Sequence, residues 1–219
     1  METLEYQGQK LLPELALNLS QQIKNGSYDV ILEMGCSATT SLMAQTLAKQ
    51  VKLLRSNNQQ GQYLEADECD LPKRILVFQH QRSACQQLQE QLTKEAIDHL
   101  VDIQFSPLIE HQLGEQKGLY YAMQQRLLQL ASYYENRQAK ILLVIHPGAE
   151  GLALNLHLGL LQPLQYLSMH QLDVLLLPGC EKQTPALIEN WIKTLNARGL
   201  EYQQPENPAI GQPQLHINP

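Results

Sequence analysis

Apolar and polar positions along this chain fall into two kinds of segment that take turns. Short unbroken apolar runs occur at Val30-Ile31-Leu32, Ile75-Leu76-Val77-Phe78, Ile141-Leu142-Leu143-Val144-Ile145 and Val174-Leu175-Leu176-Leu177. Each has the length and continuity of a strand buried on both faces, and the run at 141–145 is the most apolar, which predicts a central place for it. A further strand is expected over 101–105. Between the runs, apolar residues recur at three and four, the period of a helix with one buried face. Leu11, Leu12, Leu15, Leu19 and Ile23 predict a helix over 9–24, closed by Asn25-Gly26. Leu42, Met43, Leu47 and Val51 predict one over 39–54, and Leu88 and Leu92 one over 83–96. Tyr120, Tyr121, Leu127, Leu128, Leu130 and Ala131 predict one over 118–138, and another is read over 150–161. Leu187, Ile188, Trp191, Ile192 and Leu195 predict a strongly amphipathic helix over 184–197. In the tail, 200–203 and 214–217 flank Pro205-Glu206-Asn207-Pro208 and read as an antiparallel hairpin.

Strand and helix in alternation are the signature of an α/β fold, a mostly parallel sheet covered by helices on both faces. The chain is organised around residues 28–44. There an apolar strand ends in Glu33, a turn of small residues follows at Gly35-Cys36-Ser37-Ala38, and a helix begins. In a parallel sheet such a turn lies at the carboxyl edge of the strands, where the helix amino terminus turns N–H groups toward a ligand crevice. Small-molecule chemistry is expected at that turn.

Composition narrows the choice. The 219 residues are 43% hydrophobic and 17% charged, which suits a globular chain with a substantial core. We read one domain over 1–219, with the polar, acidic stretch 56–72 as a loop insertion. A net charge of −6 and a pI near 5.6 argue against nucleic acid and against anionic membrane as partners. No apolar run is long enough to span a bilayer, and Met1-Glu2-Thr3-Leu4-Glu5 is unlike the basic start of a secretory signal. Cys36, Cys69, Cys85 and Cys180 stand apart with no paired spacing, which reads as free thiols in the cytoplasm.

The order of these parts, with Ile31-Leu32-Glu33-Met34-Gly35 and its small-residue turn, Ile75-Leu76-Val77-Phe78-Gln79-His80, and Leu142-Leu143-Val144-Ile145-His146-Pro147-Gly148, resembles the class I S-adenosylmethionine-dependent methyltransferases. Asp173-Val174-Leu175-Leu176-Leu177, followed by Glu181, Ile188 and Trp191, resembles that family's fifth strand and its next helix. The likeness runs over nearly the whole chain. It implies a three-layer Rossmann-like α/β sandwich with a mostly parallel seven-stranded sheet, the last two strands forming an antiparallel hairpin. It also implies S-adenosylmethionine as cofactor, with Glu33, Gly35, Cys36, Ser37, Gln79 and His80 at the cofactor site. Glu33 would order the loop, and Gly35 would let the backbone approach the methionine portion.

Four positions depart from the family pattern. Cys36, Ser37 and Ala38 stand where glycine is more usual. Gln79 replaces the carboxylate that holds the ribose hydroxyls, and an amide offers one acceptor oxygen where a carboxylate offers two. Ile145-His146-Pro147-Gly148 replaces a segment that begins with aspartate, and the acidic residues common after the fifth strand give way to Leu177-Pro178-Gly179-Cys180. Methyl transfer depends chiefly on alignment of donor and acceptor, helped in places by a base. His146, at the end of a central strand, is the candidate base, and a structural histidine is the plainer account of it.

Cys36 reads as a small thiol filling the turn rather than a nucleophile, since no base is identifiable beside it. His80, His111, His157 and His170 have no metal-ligand spacing, so no metal is expected. Tyr120 and Tyr121 can line an acceptor pocket, with at least one in the core. A dinucleotide site would need GxGxxG, whereas Gly35 is alone in its turn. Two functions follow. One is methyl transfer to a small molecule or saccharide. The other is a catalytically silent relative that keeps the scaffold for binding a protein or for assembly, for instance as a homodimer through an apolar helix face.

Overall fold

The computed structural model describes residues 5–6, 9–10, 12–57, 74–147, 154–179, 183–204 and 214–219. Two short strands, β1 (Glu5–Tyr6) and β2 (Gln9–Lys10), pair with each other ahead of helix α1 (Pro13–Gly26). Then come β3 (Val30–Met34), α2 (Ala38–Asn57), β4 (Ile75–Gln79), α3 (Arg82–Lys94), β5 (Val101–Phe105), β6 (Leu108–Leu113) and β7 (Gln116–Tyr121). The chain goes on through α4 (Gln124–Tyr133), β8 (Lys140–Ile145), α5 (His157–Leu167), β9 (Gln171–Leu176), α6 (Thr184–Ala197), β10 (Glu201–Gln203) and β11 (Gln214–Asn218).

The main sheet has seven strands in the order β10-β11-β9-β8-β3-β4-β5. β9, β8, β3, β4 and β5 are parallel, and β11 joins β9 antiparallel with β10 outside it. This is the expected mostly parallel seven-stranded sheet of a Rossmann-like sandwich, with an antiparallel carboxy-terminal pair. Strand alternation divides the core in two. Ile31, Ile75, Val77, Leu142, Val144 and Leu175 pack under α1, α2 and α3. Leu32, Met34, Phe78, Leu143, Ile145 and Leu176 pack under α4, α5 and α6, where Trp191 is the largest buried side chain.

The chain leaves β3 toward β4 on one side and leaves β8 toward β9 on the other, so the order reverses between β3 and β8. In open α/β sheets ligands bind at the carboxyl edge where the order reverses, and here that point lies beside the Glu33 turn.

Several expected elements are corrected. The helix read over 118–138 begins only at Gln124, because residues 116–121 form β7, which pairs with β6 through a turn at Gly114 with φ 60°. Tyr120 and Tyr121 suit a strand as well as a helix, and the cross-strand ladder decides between them. Gln9 and Lys10 are in β2, and the first helix starts at Pro13, where proline's missing N–H costs nothing. The helix read over 150–161 is α5 at His157–Leu167, with Leu154 instead bridging to Leu119 of β7. Of the loop read over 56–72, residues 56 and 57 close α2 and the rest lie outside the described residues, as do Cys69, Gly148, Cys180 and Glu181.

Candidate functional site

Glu33 is the one acidic residue in β3, and it is fully buried. A carboxylate at that depth needs donors for its lone pairs, and the first turn of α2 supplies them. The Thr39 hydroxyl donates to Oε1 at 2.5 Å and the Thr40 hydroxyl to Oε2 at 2.6 Å. His146 Nε2, just past β8, lies 2.9 Å from Oε1. Ser37 takes the helix N-cap position, its Oγ accepting the Thr39 backbone N–H at 3.2 Å. With the Thr39 proton committed to Glu33, the Ser37 hydroxyl donates to Thr39 Oγ1 at 2.8 Å. The small-residue turn is thus wired to the strand that precedes it.

Gly35 has φ 101°, a conformation that L side chains rarely adopt, and its N–H donates to Phe78 O at 2.9 Å. A Cβ placed on Gly35 would lie 3.0 Å from His146 Cβ and 3.1 Å from its Cγ. One Cβ on Gly179, at φ 124°, would lie 2.8 Å from Pro147 Cγ. The His146-Pro147 exit from β8 therefore sits between two glycine turns, with the imidazole over Gly35.

At the end of β4, Gln79 donates from Nε2 to Cys36 Sγ at 2.9 Å and accepts the Gln81 N–H on Oε1 at 3.0 Å. Cys36 itself is partly exposed, not enclosed by the turn. The Cys85 thiol donates to Gln79 O at 3.8 Å, and burial pushes its pKa up, which favours the thiol over the thiolate. His80 follows with Nδ1 buried and without a hydrogen-bond partner, and burial pulls its pKa down, favouring the neutral ring. Its ring centroid is 6.0 Å from that of Tyr121. Tyr120 and Tyr121 are both in the core and meet edge to face at 5.2 Å. Burial first, then the charges of Cys36 and Glu33, raises the Tyr121 pKa.

The structure therefore brings Glu33, Gly35, Ser37 and His146 into one network, and Cys36 and Gln79 into a second beside it, with His80 adjoining. Sequence reasoning passed over Thr39 and Thr40 as functional groups. The available signal was two hydroxyls in the first turn of the helix that follows a buried acid. His111 bonds the Tyr121 carbonyl at 3.2 Å, and His157 and His170 lie apart from this edge network. Among the described residues no group of His, Cys, Asp or Glu is placed to hold a metal ion, and no helix is long and apolar enough to cross a membrane.

No family model matches the sequence, and no curated protein matches it. Among solved structures, the chain is similar to a human methyltransferase 10 domain-containing protein, at 10% identity over 94% of this chain and 82% of that one, with a TM-score of 0.49. It is similar to a methyltransferase from Geobacter sulfurreducens at 9% identity, over 95% of this chain and 81% of that one, with a TM-score of 0.47. It is similar also to an rRNA methylase from Streptococcus thermophilus at 13% identity, over 93% of this chain and 96% of that one, with a TM-score of 0.44.

Proposed function

We propose that the chain is a methyltransferase-like protein whose crevice beside Gly35 takes S-adenosylmethionine and presents its methyl group to a small molecule or saccharide. The observation that carries this reading is the Glu33 network. Burying a carboxylate costs several kcal/mol even in good company, and an apolar side chain would hold β3 in the sheet as well. A turn fixed in that way at the point where strand order reverses suits a ligand better than it suits folding.

The residues at the crevice suit such a cofactor. His80 Nδ1 is a buried polar atom with no partner at the end of β4. After its contacts with Cys36 and Gln81, Gln79 retains one lone pair on Oε1 and one N–H on Nε2, enough for one hydroxyl. Gly35, Cys36 and Ser37 would hold the methionine portion, and Gln79 and His80 the nucleoside. When bound, the cofactor supplies a methyl group on a sulfonium, open to displacement. Glu33 accepts the Nε2–H of His146, which leaves Nδ1 as the nitrogen able to take a proton and fixes the plane of the ring. His146 is the base in this reading, and Thr39 and Thr40 hold its carboxylate partner.

A second reading has its own observation. The imidazole of His146 covers the open side of Gly35, the side that a methionine would approach. A silent scaffold that binds a protein, or a second copy of the chain, accounts for that contact equally well.

Calorimetric titration with S-adenosylhomocysteine separates the two. Micromolar binding in the parent, lost in Gly35→Trp and tightened about tenfold in Gln79→Asp, is expected from the first reading, because a carboxylate takes both ribose hydroxyls in charge-assisted bonds. Absence of heat at millimolar ligand with folded protein leaves the scaffold alone.

A further inference from the structure

At the opposite edge of the sheet a second carboxylate is buried in β9. Asp173 is 6% exposed, and it receives the Tyr28 hydroxyl on Oδ2 at 2.6 Å and His216 Nδ1 on Oδ1 at 2.7 Å. Lys140 Nζ, at the start of β8, is 3.8 Å from Oδ2 and 5.2 Å from the centre of the Tyr28 ring. Tyr28 is held in turn by Gln22 of α1 at 3.4 Å and by Arg74, which donates to its carbonyl at 2.6 Å. Four segments distant in sequence therefore meet on one side chain: the link from α1 to β3, then β8, β9 and the last strand, β11.

We propose that Asp173 and His216 form a proton-dependent latch that holds the carboxy-terminal hairpin β10–β11 against the parallel sheet. Among the described residues, β11 pairs that hairpin to β9, through pairs running from Gln214↔Leu175 to Ile217↔Leu172. Its inward side chains Leu215 and Ile217 are buried, and His216 lies between them on the other face. The latch is thus the polar half of the attachment. With His216 protonated, the bond to Asp173 is between two ions. With His216 neutral, Nδ1–H still donates, but the attraction between charges is gone.

The surroundings favour the ionic form. The hydrogen bond to Asp173 raises the His216 pKa, against partial burial and with the charge of Asp173 adding to it, while Lys140 opposes. Burial would push Asp173 up, but the bonds from His216 and Tyr28 and the charges of His216 and Lys140 outweigh it and hold the carboxyl below its ordinary range. The other charged groups around the cluster are few. Asp29 is tied to the Lys140 N–H at 2.8 Å and to Arg137 at 3.8 Å. Arg74 is tied to the Tyr28 carbonyl, His170 accepts the Ala139 N–H at 3.3 Å, and Glu201 of β10 sits opposite Asn218. No second carboxylate among the described residues is placed to replace Asp173 on His216.

Amide hydrogen exchange of the full chain, read by mass spectrometry and corrected for the intrinsic pH dependence of exchange, tests this. Protection of residues 214–218 should fall roughly fivefold between about pH 6 and about pH 8.5, while residues 30–34 of β3 stay level. In His216→Gln the pH dependence at 214–218 should vanish with protection low throughout, and in His216→Arg protection should persist at the higher pH. Equal changes at 214–218 and 30–34, or an undiminished pH dependence in His216→Gln, overturn the latch. The parent comparison stands alone if a variant fails to fold, and no outcome depends on cofactor binding.

Discussion

Glu33 and Asp173 are both carboxylates buried in one sheet, and each has a histidine nitrogen in close contact, at 2.9 Å from His146 and 2.7 Å from His216. Their other partners differ in origin. Thr39 and Thr40, which hold Glu33, come six and seven residues after it, so that network mostly shapes its own turn. Tyr28 and His216, which hold Asp173, come from 145 and 43 residues away. The same chemistry thus does two jobs. At the carboxyl edge it fixes a local surface beside the crevice, and at the amino edge it ties remote parts of the chain together.

If that distinction holds, the largest effect belongs to Asp173→Asn. The change leaves Lys140 and His216 without a counter-charge and gives the Tyr28 hydroxyl a poorer acceptor. We expect a loss of about 3 kcal/mol in urea unfolding, the range for breaking a largely buried pair. A loss under about 1 kcal/mol would mean that the remote segments are held by apolar packing alone.

Glu33→Gln should cost less, about 1.5 kcal/mol, since the amide keeps one acceptor and the damage stays within the turn and the start of α2. Its mark should fall instead on the crevice, as weaker S-adenosylhomocysteine binding with little change at the amino edge. Equal global losses for the two variants would erase the comparison.

The pH dependence of stability sharpens it further. His216 has its pKa raised in the folded chain, so its contribution is fully present below the ordinary histidine value of about 6.5 and is lost as pH rises through the folded value. Asp173 has its pKa lowered, so its contribution is present above the ordinary carboxylate value of about 3.9 and is lost as pH falls through the folded value. The pair is therefore worth most between about pH 4 and about pH 6.5. Because His216 is more than a third exposed, the alkaline arm should amount to less than about 1 kcal/mol. Both arms should flatten in Asp173→Asn, and thermal melts run from below about pH 4 to above about pH 6.5 read the difference.

The contrast also explains what could be read from the chain before folding. Glu33, Gly35 and the turn were legible because their neighbours are close in sequence, and so was the strand and helix alternation that sets the sheet. Asp173 read only as the start of an apolar run, since its partners Tyr28, Lys140 and His216 sit on three other segments. The closeness of His146 to Gly35 depends on the parallel register that pairs Met34 with Ile145, which no local pattern encodes. The β6–β7 hairpin was missed for another reason. Leu119, Tyr120 and Tyr121 precede Leu127 and Leu130 at spacings that fit a period of 3.6 as well as 2, and only pairing with residues 108–113 resolves them.

Tyr120 supplies the smallest and most pointed test, because it is the counter-case to both carboxylates. It is fully buried, yet its hydroxyl has no hydrogen-bond partner, and it packs so closely on α5 that a Cβ at Gly159 would lie 2.6 Å from it. Glu33 and Asp173 have several donors each, so removing their charge should hurt. The Tyr120 hydroxyl is desolvated without compensation, so removing it should help. We expect Tyr120→Phe to raise stability by about 0.5 kcal/mol, the ring staying in place while an unmatched dipole is lost. A drop of more than about 1 kcal/mol in urea unfolding would mean that the hydroxyl is bonded after all, and that burial with full pairing is not what separates the two carboxylates from the rest of the polar core.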